Sequence, residues 1–377
     1  MEKVISGIGF SAITSIAKFT YSNILIFFLL PFVPYALVNE VLIVMAQFNL
    51  MFLIMDFGYS VSLSHRKSYD EFAIKILKFF SCLIVVTLSA IFFDISLVIL
   101  LAAACFNIAI FMVQKEKGHL NFKTEAYFYG VYAFLLSSLI CALIYYELSV
   151  EYAYLISAMI LVGLFGQPYL TITKRDVGQA RSIIFSESRK QIQYGIYSIA
   201  MFGGVAIEML IANMFFSGAV FTEFGILQRW LVISLAALPI LFNVLLPLVR
   251  RADALAMRDL VRFFALSILL ALMLSFFCIV YLMVATDVNM NVSQMMVVLA
   301  LKLSAAWLGF LLLIKLPPAI RSLAVIVQIS SLFLYARYIG IAEPIAFLQL
   351  SAFILVIIYL VILGVYYGFS QHHNTRI

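Results

Sequence analysis

The sequence predicts an all-α membrane protein with twelve transmembrane helices. Three observations carry this expectation. Hydrophobic residues make up 65% of the 377-residue chain and charged residues only 11%, against roughly 25% charged in soluble domains. The mean hydropathy is +1.13 over the whole length, which leaves no room for a sizeable soluble domain. The apolar residues form continuous runs rather than alternating. That favours helices, which satisfy their own backbone groups in lipid, over a β-barrel.

Twelve runs come close to or exceed the ~20 residues that span ~30 Å of hydrocarbon. They are 8–30, 36–61, 72–92, 96–114, 126–146, 151–172, 194–216, 220–248, 261–285, 293–314, 319–338 and 344–369. No small-residue cleavage site follows the first run, so it is expected to remain in the mature protein.

Basic residues alternate sides with the runs. With the N-terminus cytoplasmic, the inner connections and the tail hold Arg66, Lys67, Lys75 and Lys78, then Lys115, Lys117 and Lys123, then Lys174, Arg175, Arg181, Arg189 and Lys190. Arg250, Arg251, Arg258, Arg262, Lys315, Arg321 and Arg376 continue the pattern. The opposite side holds Arg337 against Glu40, Asp94, Glu147, Glu151, Glu223, Asp287 and Glu343. This is the positive-inside distribution, and a missed helix would invert it downstream. It places both termini in the cytoplasm. The net charge of +6 therefore reads as topology, and no basic soluble face is left for nucleic acid.

The longest inner connection, TKRDVGQARSIIFSESRKQIQ, divides the chain into six runs and six runs. The expected domains are an N-terminal six-helix bundle at 1–172, a cytoplasmic linker at 173–193 and a C-terminal six-helix bundle at 194–377. Paired halves around a central site are common in secondary transporters. Within the linker, Val177, Ile183, Ile184 and Phe185 suit a short helix on the inner membrane surface, and a merely tethering loop suits the segment equally well.

Several chemistries lack their residues. Cys82, Cys105, Cys141 and Cys278 are scattered singly, without the spacing of a disulfide framework or zinc site. His65, His119, His372 and His373 sit in polar connections or the tail. No metal or cofactor is expected. Gly7-Ile8-Gly9 has no preceding strand and is not a dinucleotide loop, and no Walker A sequence is present. Asn291-Val292-Ser293 matches a glycosylation sequon, with no sign of a eukaryotic secretory context.

The informative residues are the charges inside the runs. Residues Gln193 to Arg251 form two long runs joined by a short turn, with Glu208 in the first and Arg229 in the second. In an antiparallel hairpin centred near Gly218 both lie roughly 15 Å below the turn at 1.5 Å per residue. A charge near the bilayer centre costs at least ~2.5–3.5 kcal/mol, so such residues face a cavity or a partner. A Glu208–Arg229 pair that only locks the hairpin is one reading. A charged cavity wall that meets a charged cargo is the other. Lys18 and Asp56 are nearly equidistant from the first outer turn and suggest a second pair, although Lys18 can also snorkel to the surface. Lys302 has no acid at matching depth in its own hairpin, which makes it the leading candidate for an unpaired cavity charge.

Two stretches resemble a known family. AQFNLMFLIMDFGYSVSLSH, Ala46 to His65, resembles the second helix of Wzx-type polysaccharide flippases, with Asp56-Phe57-Gly58 followed by small and hydroxyl residues. FGILQRWLVISLAALPILFNVLLPLVRR, Phe224 to Arg251, resembles their eighth helix. These transporters share a superfamily with multidrug (MATE) exporters and lipid II flippases. The resemblance implies two six-helix bundles around a central cavity in the bacterial inner membrane. It implies a cargo of undecaprenyl-diphosphate-linked oligosaccharide, moved to the outer leaflet by alternating access. A diphosphate headgroup needs cations at membrane depth, and Arg229, Lys302 and Lys18 are the substrate-binding candidates. Arginine suits phosphate through its bidentate fork. Family members couple to an ion gradient, which gives Glu208 or Asp56 the role of carrying a proton, with sodium as the other coupling ion.

Two rival functions remain. A MATE-like exporter of organic cations would want an acidic, aromatic cavity, whereas here buried bases match buried acids. A membrane polysaccharide polymerase or lipid-linked glycosyltransferase would want a large basic outer loop or acidic clusters, and the outer turns are short. The expected protein is a transporter and not an enzyme.

Overall fold

The computed structural model describes residues 10, 13–14, 17, 33–59, 71–92, 95–111, 113–114, 122–166, 177–236, 238, 241, 257–285, 291–316, 318–341 and 343–374. Among these residues the chain is almost wholly helical and holds no strand. Eleven helices follow in order: α1 (Tyr35–Asp56), α2 (Glu71–Phe92), α3 (Leu97–Ala109), α4 (Phe122–Tyr145), α5 (Glu151–Phe165), α6 (Val177–Phe215), α7 (Gly218–Ser234), α8 (Met257–Ala285), α9 (Val292–Lys315), α10 (Pro318–Tyr338) and α11 (Pro344–Asn374). They fall on the second to twelfth apolar runs. Most of the first run, with Lys18, lies outside the described residues, as do Pro239 and Pro247 of the eighth.

Six helices, α1, α2, α4, α8, α9 and α11, contain stretches long and apolar enough to cross a membrane. Shorter apolar stretches lie in α3, α5, α10 and the last turns of α6. This is the build of a multi-pass membrane protein.

Local chemistry sets the helix ends. Ser96 caps α3 by accepting from the Val98 N–H at 3.2 Å. The Asn291 side chain caps α9 through the Gln294 N–H at 3.3 Å, so the sequon asparagine serves as an N-cap. Helices α10 and α11 both begin on proline, whose missing N–H is no loss in a first turn. Helix α1 stops at Asp56 because Phe57 and Gly58 take φ of 47° and 77°, a left-handed exit that the sequence run to 61 did not anticipate.

The segment 173–193 suits a short helix or a tethering loop, and from Val177 onward it is the first half of α6, a continuous helix of 39 residues. The segment is rich in Gln, Arg, Lys and Glu, which are good helix formers, and it holds no proline.

Contacts divide the chain into two compact units, one of Met1–Leu29 with Ala36–Leu210 and one of Leu30–Tyr35 with Ile211–Ile377. In the first unit α3 packs on α2 and α5, and α4 packs on α5. Aromatic rings fill its centre: Phe48 lies 4.8 Å from Tyr154 and 5.6 Å from Phe106, and Phe106 lies 4.6 Å from Tyr132 and 5.4 Å from Phe128. One end of this unit is tied by polar groups. Glu40 of α1 accepts from the Val150 N–H at 3.2 Å and from Ser149 Oγ at 3.3 Å, which places a carboxylate at the positive N-terminus of α5. Ser96 Oγ donates to Glu151 nearby.

In the second unit α11 packs on α7, α9 and α10, and α7 packs on α8. Helix α7 is central, with Phe224 through Leu231 all buried. Two indoles fasten α8 to its neighbours: Trp230 Nε1 donates to Ser275 Oγ at 3.1 Å and Trp307 Nε1 to Ser267 Oγ at 2.8 Å.

Candidate functional site

The most developed polar site of the first unit stands where α1 ends. Asp56 is its last helical residue, which puts a carboxylate at the negative end of the helix dipole, an unfavourable place. Two side chains compensate. Lys78 Nζ lies 3.1 Å from Asp56 Oδ1, and Gln114 Nε2 donates to the same oxygen at 2.8 Å. Lys78 also donates to Gln114 Oε1 at 2.8 Å, closing a three-residue ring of contacts. Asp56 is 0% and Lys78 1% exposed. The ammonium sits over the rings of Tyr59 and Phe111, at 5.5 and 5.9 Å from their centroids, in the cation–π range. Lys75, 5.7 Å from the Phe111 centroid, pairs with Glu71 at 3.1 Å. Ser81 Oγ donates to the Met55 carbonyl at 2.7 Å, which satisfies one of the acceptors that a helix end leaves open.

Asp56 pairs with Lys78, and the Lys18 that equal depth also sets against it lies outside the described residues. The charge alternation sets Lys78 in an inner connection, whereas the structure buries it two turns inside α2. The signal was present: the apolar run 72–92 already enclosed it. Glu125 and Glu187 are further buried acids of this unit that sequence reasoning passed over.

Glu208, on α6 in the first unit, is buried. Arg229, on α7 in the second, is also buried, between the buried Gln228 and Trp230. Lys302, on α9, is half-buried and donates to Ser351 Oγ of α11 at 3.2 Å. The same hydroxyl accepts from Gln328 Nε2 of α10 at 2.9 Å, and Gln328 reaches the Ser351 carbonyl at 3.2 Å. Lys302 is thus part of a polar knot of three helices. Beside it an open groove of about 610 Å³ is lined by Val297, Leu301, Tyr335, Glu343, Gln349 and Phe353 among others. Its walls are mainly apolar, with a carboxylate, a phenol and an amide.

Among the described residues no cluster of three or more His, Cys, Asp or Glu has the arrangement of a metal site. Comparison with family models, with curated proteins and with solved structures returns no match.

Proposed function

We propose that this chain is a flippase that carries undecaprenyl-diphosphate-linked oligosaccharide across the bacterial inner membrane for surface polysaccharide synthesis. The reading includes twelve spans in two six-helix bundles around a central cavity, both termini cytoplasmic, and alternating access driven by a proton or sodium gradient. The observation that carries it is two cations of the second unit, Arg229 buried on α7 and Lys302 half-buried on the apolar helix α9. Ionisable groups at membrane depth are expensive and mark substrate pathways, and a diphosphate cargo requires cations there. Lys18 is the third cation of the proposal, and Glu208 and Asp56 are the candidate coupling acids. The resemblance of the second and eighth runs to polysaccharide flippases adds the substrate class. The test is surface glycan in cells carrying Arg229→Ala or Lys302→Ala, normalised to protein in the membrane. Undiminished glycan at equal abundance in both variants would defeat the reading.

A specific observation favours a second reading. Asp56, Glu125, Glu187 and Glu208 are all buried in the first unit, which also holds an aromatic core. Among the described residues Lys75 and Lys78 are the buried bases of that unit. An acidic, aromatic interior suits an ion-coupled exporter of organic cations. Efflux of a cationic dye from cells, abolished by Glu208→Gln, would select this reading, and dye retention with normal glycan export would select the flippase.

A further inference from the structure

The corner that follows Asp56 makes an unusual contact. Phe57 is a non-glycine residue at φ 47°, a left-handed conformation that side chains other than glycine and asparagine rarely adopt. Its amide donates back to the Leu53 and Ile54 carbonyls, both at 3.2 Å. Its ring packs beside Tyr59, Ile74 and Phe111 on one side and on Gly195 of α6 on the other. A Cβ at position 195 would stand 2.9 Å from Phe57 Cδ2 and 3.0 Å from Cε2, closer than real contacts allow. The ring therefore occupies a notch that only glycine leaves open.

The notch lies on a distinctive face of α6. Glu187, Gln191, Gly195 and Ser198 follow one another at spacings of four, four and three, which places them on one side of a helix. All four are buried. On other faces Phe185, Ile192 and Ile196 are 74%, 48% and 46% exposed. Among the described side chains of this part of α6, polar ones face the protein and apolar ones face outward. Phe57 is the apolar knob inserted in the polar stripe.

We propose that the Asp56-Phe57-Gly58 corner is a latch for α6. The ion pair of Asp56 with Lys78 holds the corner in the turn that seats Phe57 in the Gly195 notch, and loss of that pair releases the polar stripe of α6. The physical link is local. An aspartate at a helix C-terminus is disfavoured and stays there through Lys78 and Gln114. Freed from them, the end of α1 no longer compels the next residue to keep a strained φ. Relaxation of that φ to negative values swings the ring away from α6. No cargo enters this inference, so it stands or falls apart from the transport reading.

Amide hydrogen exchange of the purified full chain, read by mass spectrometry, tests it. In Asp56→Asn, peptides covering 187–198 should exchange about tenfold faster, equivalent to ~1.4 kcal/mol of local opening, while peptides of α9, α10 and α11 keep their rates. Phe57→Ala keeps the ion pair and removes the knob, and Gly195→Ala fills the notch. Both should accelerate the same peptides to a similar degree. If Asp56→Asn does not accumulate, Asp56→Asn with Lys78→Gln leaves no stranded charge and replaces it. Unchanged exchange at 187–198 in the Asp56 variant or in Phe57→Ala would overturn the latch. So would acceleration spread equally over α9, α10 and α11, which would report general loosening instead.

Discussion

Lys78 Nζ stands 3.1 Å from Asp56 Oδ1, and neither side chain reaches solvent. A buried pair of this kind is informative when broken. Removing one partner strands the other at a cost of ~3–5 kcal/mol, whereas replacing both by neutral groups of similar shape is far milder. Asp56→Ala and Lys78→Ala should each lower the melting temperature sharply in detergent. Asp56→Asn combined with Lys78→Met should recover most of the loss. A double variant as unstable as the sum of the singles would mean that the two groups act independently.

The polar knot of the second unit predicts a separation of roles. Ser351→Ala removes the hydroxyl shared by Lys302 and Gln328, and a buried group left without its bond costs ~1–3 kcal/mol. It should lower the melting temperature measurably. Lys302→Ala should instead lower glycan export at unchanged membrane abundance. If Lys302→Ala loses abundance as well, the lysine serves the fold of α9, α10 and α11 and not a cargo.

The two readings of Glu208 and Arg229 separate by charge exchange. If they are a locking pair, Glu208→Arg with Arg229→Glu should restore both abundance and export after either single change has lost them. If Arg229 binds a diphosphate, Arg229→Ala should give a folded, inactive transporter that the exchange does not rescue. Arg229→Lys, which keeps the charge and loses the fork, should then retain partial export. Glycan at the cell surface, divided by protein in the membrane, is the measurement.

Charge placement predicts sidedness. A single cysteine introduced at position 147 or 287 should react with an impermeant maleimide added outside intact cells, and one at 181 should not. External labelling at 181 would contradict the proposed twelve-span orientation.

The helices were legible in the sequence because hydrophobic length is a one-dimensional signal. The eleven described helices fall on runs visible by inspection. Their chemistry was less legible for two physical reasons. A polar stretch reads alike whether or not it is helical, so residues 177–193 suit a short helix and a loop equally, and the structure shows the helix. Partnership also depends on which helices are neighbours. Lys78 reaches Asp56 from 22 residues away and Gln114 from 58, separations that no spacing pattern marks. Lys302 was identified as a notable charge, but its hydroxyl partner lies 49 residues on, beyond any pattern of spacing. The left-handed Phe57 left one trace, the Gly58 that follows it, and glycine after a helix commonly marks such an exit.

The inverted face of α6 has a consequence for biosynthesis. With Glu208 on its buried side, the apolar half of α6 partitions poorly into lipid by itself, because that carboxylate would enter the bilayer bare. It needs a receiving surface. The ribosome delivers α1 to α5 first, so that surface has been synthesised before α6 leaves the tunnel. Asp56 has the opposite difficulty, since it is made before Lys78 and Gln114. At ~5–20 residues per second it waits roughly 1–4 s for Lys78 and roughly 3–12 s for Gln114. Through that interval the growing chain carries the Asp56 carboxylate without its contacts to Lys78 and Gln114, and the end of α1 has reason to wait for both.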